Sequence, residues 1–438
     1  MSAIARTHAR QILDSRGYPT VEVEVTLDTG VTGRAAVPGG SSTGHLEAVA
    51  LRDGGVQWCA MGVSTAVDAV HDEIAGILQG RDPHHQAAID RVLIELDGTA
   101  DKSRLGANAI LAASLSVARA AAEDARLPLW RYLAGERPVS LPMPLFDVLN
   151  GGLHATNRLD FEEFILIPAH AESFSEALRI GVEIFHELRY TLLAHGCSAL
   201  AGADGGFAPD LDFNDGALDL LVSAITSADY EPGGDVWIGI DAAASQLRQD
   251  GDHLLAHQGR QLSAQDLVDY YVELADRYPL MMLEDGLAED DLEGWQELTR
   301  RLGARLTLAG DDVFATQAKR LQQGITGGVA NAIVIKPNQV GTLTETLETI
   351  ALAQASGYTT IVSQRSGETE DTSICDLAVA TGAAQLKAGA PSRERVAKYN
   401  RLLRIEEMLG DESRVRKRDG RARGRGRCAP ESRRERGW

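Results

Sequence analysis

The chain has 438 residues, a formal net charge of −20 and a hydrophobic content of 44%. This length suits two domains, or one barrel with an added domain, and it allows a large core to be buried. No apolar run approaches the length of a membrane-spanning helix, and the opening residues MSAIARTHARQ lack the apolar core of a signal peptide. These features argue against a membrane protein, and we expect a cytoplasmic protein with no membrane partner.

The charge is divided unevenly between an acidic body and a basic C-terminal tail. From Arg414 onward, eleven lysines and arginines stand against three acidic residues. We expect this tail, residues 413–438, to be disordered, because it has few apolar residues that could pack. An acidic body disfavours nonspecific binding to nucleic acid, so we expect no nucleic-acid partner, although the basic tail could favour one.

The N-terminal third of the chain predicts an α+β domain. The stretch Thr20–Leu27 (TVEVEVTL) alternates apolar and polar residues, which indicates a half-buried antiparallel strand. Three segments with helical spacing of apolar residues follow, at 63–80, 84–98 and 107–135. Strands followed by helices, before any regular βα alternation, favour a separate domain over residues 1–138.

Residues 38–45 (PGGSSTGH) join the predicted sheet to these helices and consist mostly of small, turn-forming residues. Such a loop is mobile and can close over a site as a lid. A plain connection between two elements is the alternative.

Polar residues cluster between this domain and the second half of the chain. The stretch PMPLFDVLNGGLHATNRLDFEEFILIP places Asn150, His154, Glu162 and Glu163 around a glycine turn and a strand. Asp204 lies in the glycine-rich loop GADGGFAPDL, where a carboxylate can approach a ligand. A lone histidine in such a place is more often structural than catalytic, so the pattern alone leaves its role open.

Residues 237–389 contain repeated apolar runs that end in charged or polar residues, with helical segments between them. Short apolar strands alternating with helices predict βα units, a parallel sheet and a barrel. The carboxyl ends of the strands of such a barrel meet at one mouth. The residues at these ends are Asp241, Glu284, Asp285, Asp311, Asp312, Lys336, the segment 363–366 and Lys387.

This set of strand ends predicts acid–base chemistry beside a cation. Three carboxylates at one mouth can bind a hard cation such as Mg²⁺ through oxygen ligands. A lysine next to such a site can act as a base, because burial and a nearby cation lower its pKa. The alternative for any single residue is that a strand-end aspartate only caps the next helix.

Several long stretches resemble one known family. They include ARQILDSRG, NGGLHATN, GGFAPDL, GVANAIVIKPNQVGTLTETLE and RSGETEDTSICDLAVATGAAQLKAGAPSR. These stretches are similar to the enolases, and the resemblance extends from about Ile4 to Gly410. It implies an α/β fold, with an enolase-like βα barrel at 139–412 and an N-terminal α+β capping domain at 1–138. It also implies loss of water from 2-phosphoglycerate, a small phosphorylated three-carbon acid, to give phosphoenolpyruvate. We expect a homodimer or a larger homo-oligomer.

The resemblance also assigns the base and the metal ligands. Lys336 would abstract the C2 proton of 2-phosphoglycerate. Asp241, Glu284 and Asp311 would hold the first of two Mg²⁺ ions. Ser42, in the mobile loop, would reach the second ion when the loop closes.

The remaining roles implied by the resemblance concern the substrate. Lys387 would bind its carboxylate, and Arg365 and Ser366 would hold its phosphate. The other implied site residues are the catalytic groups His154, Glu163 and Asp204 and the substrate-binding residues Glu162 and Gln364.

Three of these positions depart from the family pattern. Asp204 stands where the family has the glutamate that assists loss of the C3 hydroxyl, and a misplacement of about 1 Å can cost about 10²-fold in rate. Glu162 stands where the family has glutamine, and Gln364 where it has histidine. We therefore expect proton abstraction and cation binding to be kept, with the leaving-group end rebuilt.

Three functions compete for this sequence. The first is a working but divergent enolase. The second is an enolase relative of phosphonate biosynthesis, of the carboxyphosphonoenolpyruvate synthase type, which would use phosphonoformate with 2-phosphoglycerate or phosphoenolpyruvate. The third is a non-catalytic scaffold or binding role, which the retained base and ligands argue against.

Overall fold

The computed structural model of the chain describes residues 2–40, 44–249, 251–410 and 415. Within them, an N-terminal sheet with helices precedes a closed barrel, as predicted for an α/β chain with a capping domain. No helix in the described part of the chain combines the length and the apolar character that a membrane crossing requires. Ser42 and almost all of the basic tail lie outside the described residues.

The N-terminal sheet has three antiparallel strands, β1 (Ile4–Leu13), β2 (Pro19–Leu27) and β3 (Thr32–Ala36). In β2 every second residue is buried, so the alternation in the sequence predicted both the strand and its buried face. The helices that follow are α1 (Ser64–Ala69), a π-helical turn (Val70–Ile74), α2 (Ala75–Leu78), α3 (Gln86–Asp97), α4 (Ala107–Asp124) and α5 (Leu129–Ala134).

The barrel has eight strands, which close in the order β4, β5, β6, β10, β11, β12, β13 and β14. Their bounds are β4 Met143–Asn150, β5 Glu163–Ile167, β6 Trp237–Asp241, β10 Leu280–Glu284, β11 Thr307–Gly310, β12 Ala332–Ile335, β13 Thr359–Ser363 and β14 Gln385–Lys387. The prediction of a wholly parallel sheet is wrong for one strand, because β5 runs antiparallel to both of its neighbours. Its apolar run, EFILI, carries no signal of direction.

Helices surround the barrel, and a small sheet is inserted after β6. The helices are α6 (Phe174–Ala194), α7 (Asn214–Ser227), α8 (Ala264–Arg277), α9 (Leu292–Leu302), α10 (Ala318–Gly327), α11 (Pro337–Val340), α12 (Leu343–Ala355), α13 (Ser373–Thr381) and α14 (Val396–Leu409). The inserted antiparallel strands are β7 (Arg248–Gln249), β8 (Asp252–Leu255) and β9 (Arg260–Leu262), which the sequence analysis did not predict.

Local side-chain chemistry fixes several helix ends. Ser263 and Asp266 form a reciprocal capping box at the start of α8, and Thr342 caps α12 by accepting from the backbone of Glu345. Gly357 follows α12 with φ +77°, the left-handed conformation expected of a helix-ending glycine. Gly303 also ends its helix, but with φ −63° it stays in the right-handed region.

The start of the C-terminal tail contacts the barrel at one described residue. Val415 is buried and forms an isolated parallel bridge with Leu141, just before β4. At this position an apolar side chain has a buried contact, while the rest of the predicted tail lies outside the described residues.

Candidate active site

The described residues predicted to form the site meet at the mouth of the barrel. They line a cavity that is open to solvent, with about 440 Å³ of empty space including its solvent-filled mouth. Its charged lining consists of seven carboxylates, three cations and one histidine: Glu162, Glu163, Asp204, Asp241, Asp285, Asp311, Asp312, Lys336, Arg365, Lys387 and His154. Gln364 and Ser366 also line it, and Glu284 lies beside it in contact with Lys387. The excess of negative charge makes the mouth a site for cations.

The reversed direction of β5 places its first residue at the mouth. Glu163 begins β5 and lies in register with Asp241, the last residue of β6. The glutamate predicted from a resemblance is thus brought to the same height as the strand-end acids by an antiparallel strand.

Lys387 lies at the centre of the buried charged side chains. Its ammonium donates hydrogen bonds to Glu284 (2.7 Å), Glu163 (2.8 Å) and Asp241 (3.1 Å). Burial alone would lower the pKa of Lys387, but these three carboxylates raise it well above its ordinary value. Lys387 is therefore a permanent cation that balances three acids in this structure.

Lys336, the predicted base, forms an ion pair with Asp311 on the neighbouring strand end. Burial alone would lower the pKa of Lys336, but Asp311 raises it above its ordinary value. This differs from the expectation of a neutral amine, because the ion pair stabilises the protonated form. Lys336 has to lose that proton before it can act as a base.

The donor set at the mouth fits a hard divalent cation. Glu284 is completely buried, and its Oε2 has no hydrogen-bond partner among the described residues. Burial and then the nearby Asp241 raise the pKa of Glu284 well above its ordinary value, as expected for acids crowded without enough positive charge. Carboxylate oxygens are the ligands that Mg²⁺ prefers, so Asp241, Glu284 and Asp311 are suitable to hold it.

Asp285, another strand-end acid, has a structural role. Its two carboxylate oxygens accept hydrogen bonds from the backbone N–H groups of Asp311 (2.9 Å) and Asp312 (3.0 Å). This is not the helix cap considered as the alternative, because Asp311 and Asp312 follow β11, whereas the next helix after Asp285, α9, begins at Leu292 and has Asp291 as its N-cap. The contact fixes the backbone that carries Asp311.

The acid end of the site, which comprises the residues expected near the leaving C3 hydroxyl, is a row of charged side chains centred on His154. Its Nδ1 lies 3.0 Å from Asp204 Oδ2, close enough for an ion pair although the ring is not aligned for a hydrogen bond. Burial alone would lower the pKa of His154, but Asp204 and Glu162 raise it well above 6.5. Burial alone would raise the pKa of Asp204, but His154 and Arg395 hold it well below its usual range. The neighbouring charges thus favour a protonated His154 and an ionised Asp204.

Glu162 has an unusual protonation equilibrium. It is buried, with Oε1 lying 3.4 Å from His154 Nε2 and accepting a hydrogen bond from Gln246 at 3.3 Å. Burial raises the pKa of Glu162 to about 7, with Asp241 and Glu163 adding to the effect of burial. Near neutral pH this side chain therefore alternates between an acid and an anion.

The predicted phosphate-binding residue Arg365 is held by the N-terminal domain. Glu47 accepts hydrogen bonds from Arg365 Nη1 (2.7 Å) and Nη2 (3.0 Å). Gly40 lies against the same guanidinium, since a Cβ there would be 3.1 Å from Nη2. The described start of the loop 38–45 thus packs on Arg365, next to the cavity.

Sequence reasoning missed three charged residues around the cavity. Glu47 carried no motif signal, and Arg395 reaches the site from the start of the C-terminal helix. Asp147 could have been found, because it is a charged residue inside the otherwise apolar strand β4. Asp147 is completely buried, and neither carboxylate oxygen has a hydrogen-bond partner among the described residues. Burial and then Glu163 raise its pKa well above the ordinary value.

Together the fold and the site define a class of protein, a βα barrel with a capping domain whose mouth brings buried carboxylates and lysines together. Residues 4–133 match the family model described as the enolase N-terminal domain, and residues 138–423 match the enolase C-terminal TIM barrel domain. An enolase from Acidothermus cellulolyticus is 54% identical over 415 residues, which cover 94% of this chain and 96% of that relative. The chain belongs to the enolase family. The match extends to residue 423, beyond the end near Gly410 expected from the sequence.

Proposed function

We propose that the chain is a working enolase, which removes the C2 proton of 2-phosphoglycerate and expels the C3 hydroxyl to give phosphoenolpyruvate. The observation that carries this proposal is the placement of Lys336 beside Asp311 at one barrel mouth with Asp241, Glu284 and Lys387. The 54% identity to a protein named enolase supports the same reaction.

Each cationic side chain has a role in this reaction. Lys336 takes the C2 proton once it has lost its own. Lys387 and Arg365 provide the fixed positive charge that a substrate with a carboxylate and a phosphate needs. Ser366 adds a hydroxyl group next to Arg365 on the phosphate side.

Asp241, Glu284 and Asp311 would hold a Mg²⁺ ion. Bound there, the ion would neutralise the negative charge that develops on the substrate carboxylate. We also propose a second Mg²⁺ ion, which Ser42 would reach when the loop 38–45 closes. Only the resemblance to the enolases supports this second ion.

His154 delivers the proton to the departing hydroxyl in this proposal. It is buried and lines the cavity, its pKa is raised well above the ordinary value by Asp204 and Glu162, and Asp204 Oδ2 lies 3.0 Å from its Nδ1. Glu163 lies 3.3 Å from the same ring nitrogen, Nδ1, and adds a second anionic neighbour. General acid catalysis of this kind contributes about 10²–10⁴-fold to a rate.

The rebuilt acid end also favours a second candidate, in which the enolate chemistry is used on an added partner such as phosphonoformate. The observation behind it concerns the two carboxylate oxygens of Asp204: Oδ1 accepts a hydrogen bond from Arg395, and Oδ2 lies beside His154. Both oxygens are therefore engaged within the protein, and Asp204 is poorly placed to assist loss of the C3 hydroxyl. A cytoplasmic location and a homo-oligomeric assembly stay predictions from the sequence.

The test is an assay of phosphoenolpyruvate formation from 2-phosphoglycerate, with and without Mg²⁺ and with and without phosphonoformate. Conversion that needs Mg²⁺ and forms no further product with phosphonoformate supports the enolase. A new phosphonate product, formed only when phosphonoformate is added, would favour the second candidate. Conversion that survives exhaustive chelation of metals would contradict the role of Asp241, Glu284 and Asp311.

A further inference from the structure

Arg395 is a buried arginine at the start of α14 that the proposed reaction does not use directly. Its side chain is completely buried. One guanidinium joins two segments of the site, the loop that contains Asp204 and the segment 364–366 at the end of β13. Nη1 donates to Gln364 Oε1 (2.6 Å) and to the carbonyl of Arg365 (2.8 Å). Nη2 donates to Asp204 Oδ1 (2.8 Å) and to the carbonyl of Ser366 (2.8 Å).

This contact decides which way the Gln364 amide points. A guanidinium has only donors, so the amide must turn its carbonyl oxygen toward Arg395. The amide nitrogen then lies over Gly389, where a Cβ would be only 2.8 Å from it. Gln364 is 3% exposed, lines the cavity, and its Nε2 has no hydrogen-bond partner among the described residues.

Leaving a buried N–H donor unpaired is unfavourable, so its position beside a cavity points to a partner that arrives with the ligand. The cavity is proposed to take a phosphorylated acid, whose oxygens are acceptors. The amide keeps both N–H donors at every pH at which the protein is folded, whereas a histidine loses one of its two N–H donors when it deprotonates.

We infer that Arg395 is a positioning residue that orients Gln364 so that its amide N–H donates to an acceptor oxygen of the substrate, and that it anchors Asp204 against His154 at the same time. Arg395 touches no substrate itself and acts through these two side chains. This inference rests on the proposed function, because it names the donor to that substrate.

The test compares Arg395→Lys, Gln364→Met and the double variant, with Arg401→Lys as the matched control. Arg401 lies on α14, which begins directly after Arg395, donates from Nε to Asp376 at 3.0 Å, and does not line the cavity. We expect Arg395→Lys to lower kcat by about 10- to 100-fold and Gln364→Met by about tenfold, with KM for Mg²⁺ unchanged in both. Arg401→Lys should lower Tm without changing kcat.

The double variant separates positioning from stability. If Arg395 acts through Gln364, the double variant should lose little more kcat than Arg395→Lys alone, whereas the losses in Tm should add. Fully multiplicative losses in kcat would overturn the inference.

Gln364→Glu tests the donor without disturbing Arg395, in case Arg395→Lys folds poorly. A carboxylate keeps the acceptor for Arg395, so Tm should be kept, but the N–H donor is lost and kcat should fall at least about tenfold. Unchanged kcat in both Gln364 variants would overturn the inference. If the unmodified protein does not convert 2-phosphoglycerate, the proposed function fails by itself, and the same set of variants is then compared by the Kd of phosphoenolpyruvate.

Discussion

Glu163 and Asp241 face each other in register across two antiparallel strands, and the ammonium of Lys387 lies within 3.1 Å of a carboxylate oxygen of each. Glu284 completes the group at 2.7 Å. Like charges at this distance repel strongly in a buried site, so one lysine holds together residues on three strands. The same geometry makes the site dependent on positive charge, whether from the lysine or from a bound cation.

The first prediction concerns the dependence of these buried acids on the positive charge of Lys387. Replacing the lysine, as in Lys387→Met, leaves three buried acids without their counter-charge, and we expect a loss of about 3–5 kcal/mol in the free energy of unfolding without metal. Mg²⁺ should restore part of it, because carboxylates freed from the ammonium can bind the ion. Urea unfolding with and without Mg²⁺ measures both effects.

Lys398→Met is the control for that experiment. Lys398 is completely buried and donates to Glu368 (2.6 Å) and to the carbonyl of Thr369 (2.6 Å). Lys398→Met should also be destabilised, but its cation site is intact, so Mg²⁺ should stabilise it no more than it stabilises the wild type. If Mg²⁺ stabilises Lys387→Met no more than it stabilises Lys398→Met and the wild type, a cation site at Asp241 and Glu284 is contradicted.

The second prediction is a pH dependence set by Glu162, whose pKa is raised to about 7. As the pH rises through 7 the side chain becomes an anion, which repels an anionic substrate. We expect KM for 2-phosphoglycerate to increase by about tenfold between pH 6 and pH 8, the effect of about 1.4 kcal/mol of repulsion. In Glu162→Gln this increase should disappear, since the amide is neutral at both pH values. A KM profile that is the same in both proteins would show that Glu162 stays uncharged or faces away from the substrate.

How much of this site the sequence could predict depends on the direction of its strands. Parallel strand ends meet at one mouth, so Asp241, Lys336 and Lys387 could be grouped from the pattern of apolar runs alone. The position of Glu163 needed the antiparallel β5, which an apolar run does not reveal. The role of Arg395 could not be predicted, because its contacts with Gln364 and Asp204 depend on how segments far apart in the sequence pack together.

Other gaps have different physical causes. The charge state of Lys336 could not be predicted, since it depends on an ion pair with Asp311 and not on burial alone. Asp147 carried a readable signal, a charge within an apolar strand, and its pKa follows from complete burial. The inserted sheet β7–β9 has strands of two to four residues, too short for a periodic pattern.

The third prediction uses Asp147 as a probe of buried charge. Because its pKa in the folded protein lies well above 3.8, the folded state binds a proton that the unfolded state releases. The contribution of this group to stability is therefore present at low pH and is lost as the pH rises above about 4. Asp147→Asn removes this loss, so the variant should gain about 1–3 kcal/mol on the wild type between pH 5 and pH 8. Parallel curves of unfolding free energy against pH would contradict a protonated Asp147.

The fourth prediction separates the two halves of the reaction at Asp204. Replacing the anion, as in Asp204→Asn, should lower the pKa of His154 and weaken delivery of a proton to the leaving hydroxyl. We expect formation of phosphoenolpyruvate to fall by about 10²–10⁴-fold, while exchange of the C2 proton with solvent continues. Nuclear magnetic resonance in deuterated water measures the exchange, and absorbance measures the product. Equal losses in the two rates would place Asp204 in proton abstraction instead.

The most direct test is to measure the exchange of the C2 proton of 2-phosphoglycerate with solvent in the wild type and in Lys336→Ala, with Mg²⁺ present. We expect ready exchange in the wild type, at a rate at least equal to that of phosphoenolpyruvate formation, because the proposed base and cation ligands are kept while the residues at the leaving hydroxyl differ from the family pattern. In Lys336→Ala exchange should be abolished, with Mg²⁺ affinity nearly unchanged. Exchange that persists in Lys336→Ala would contradict the assignment of Lys336 as the base.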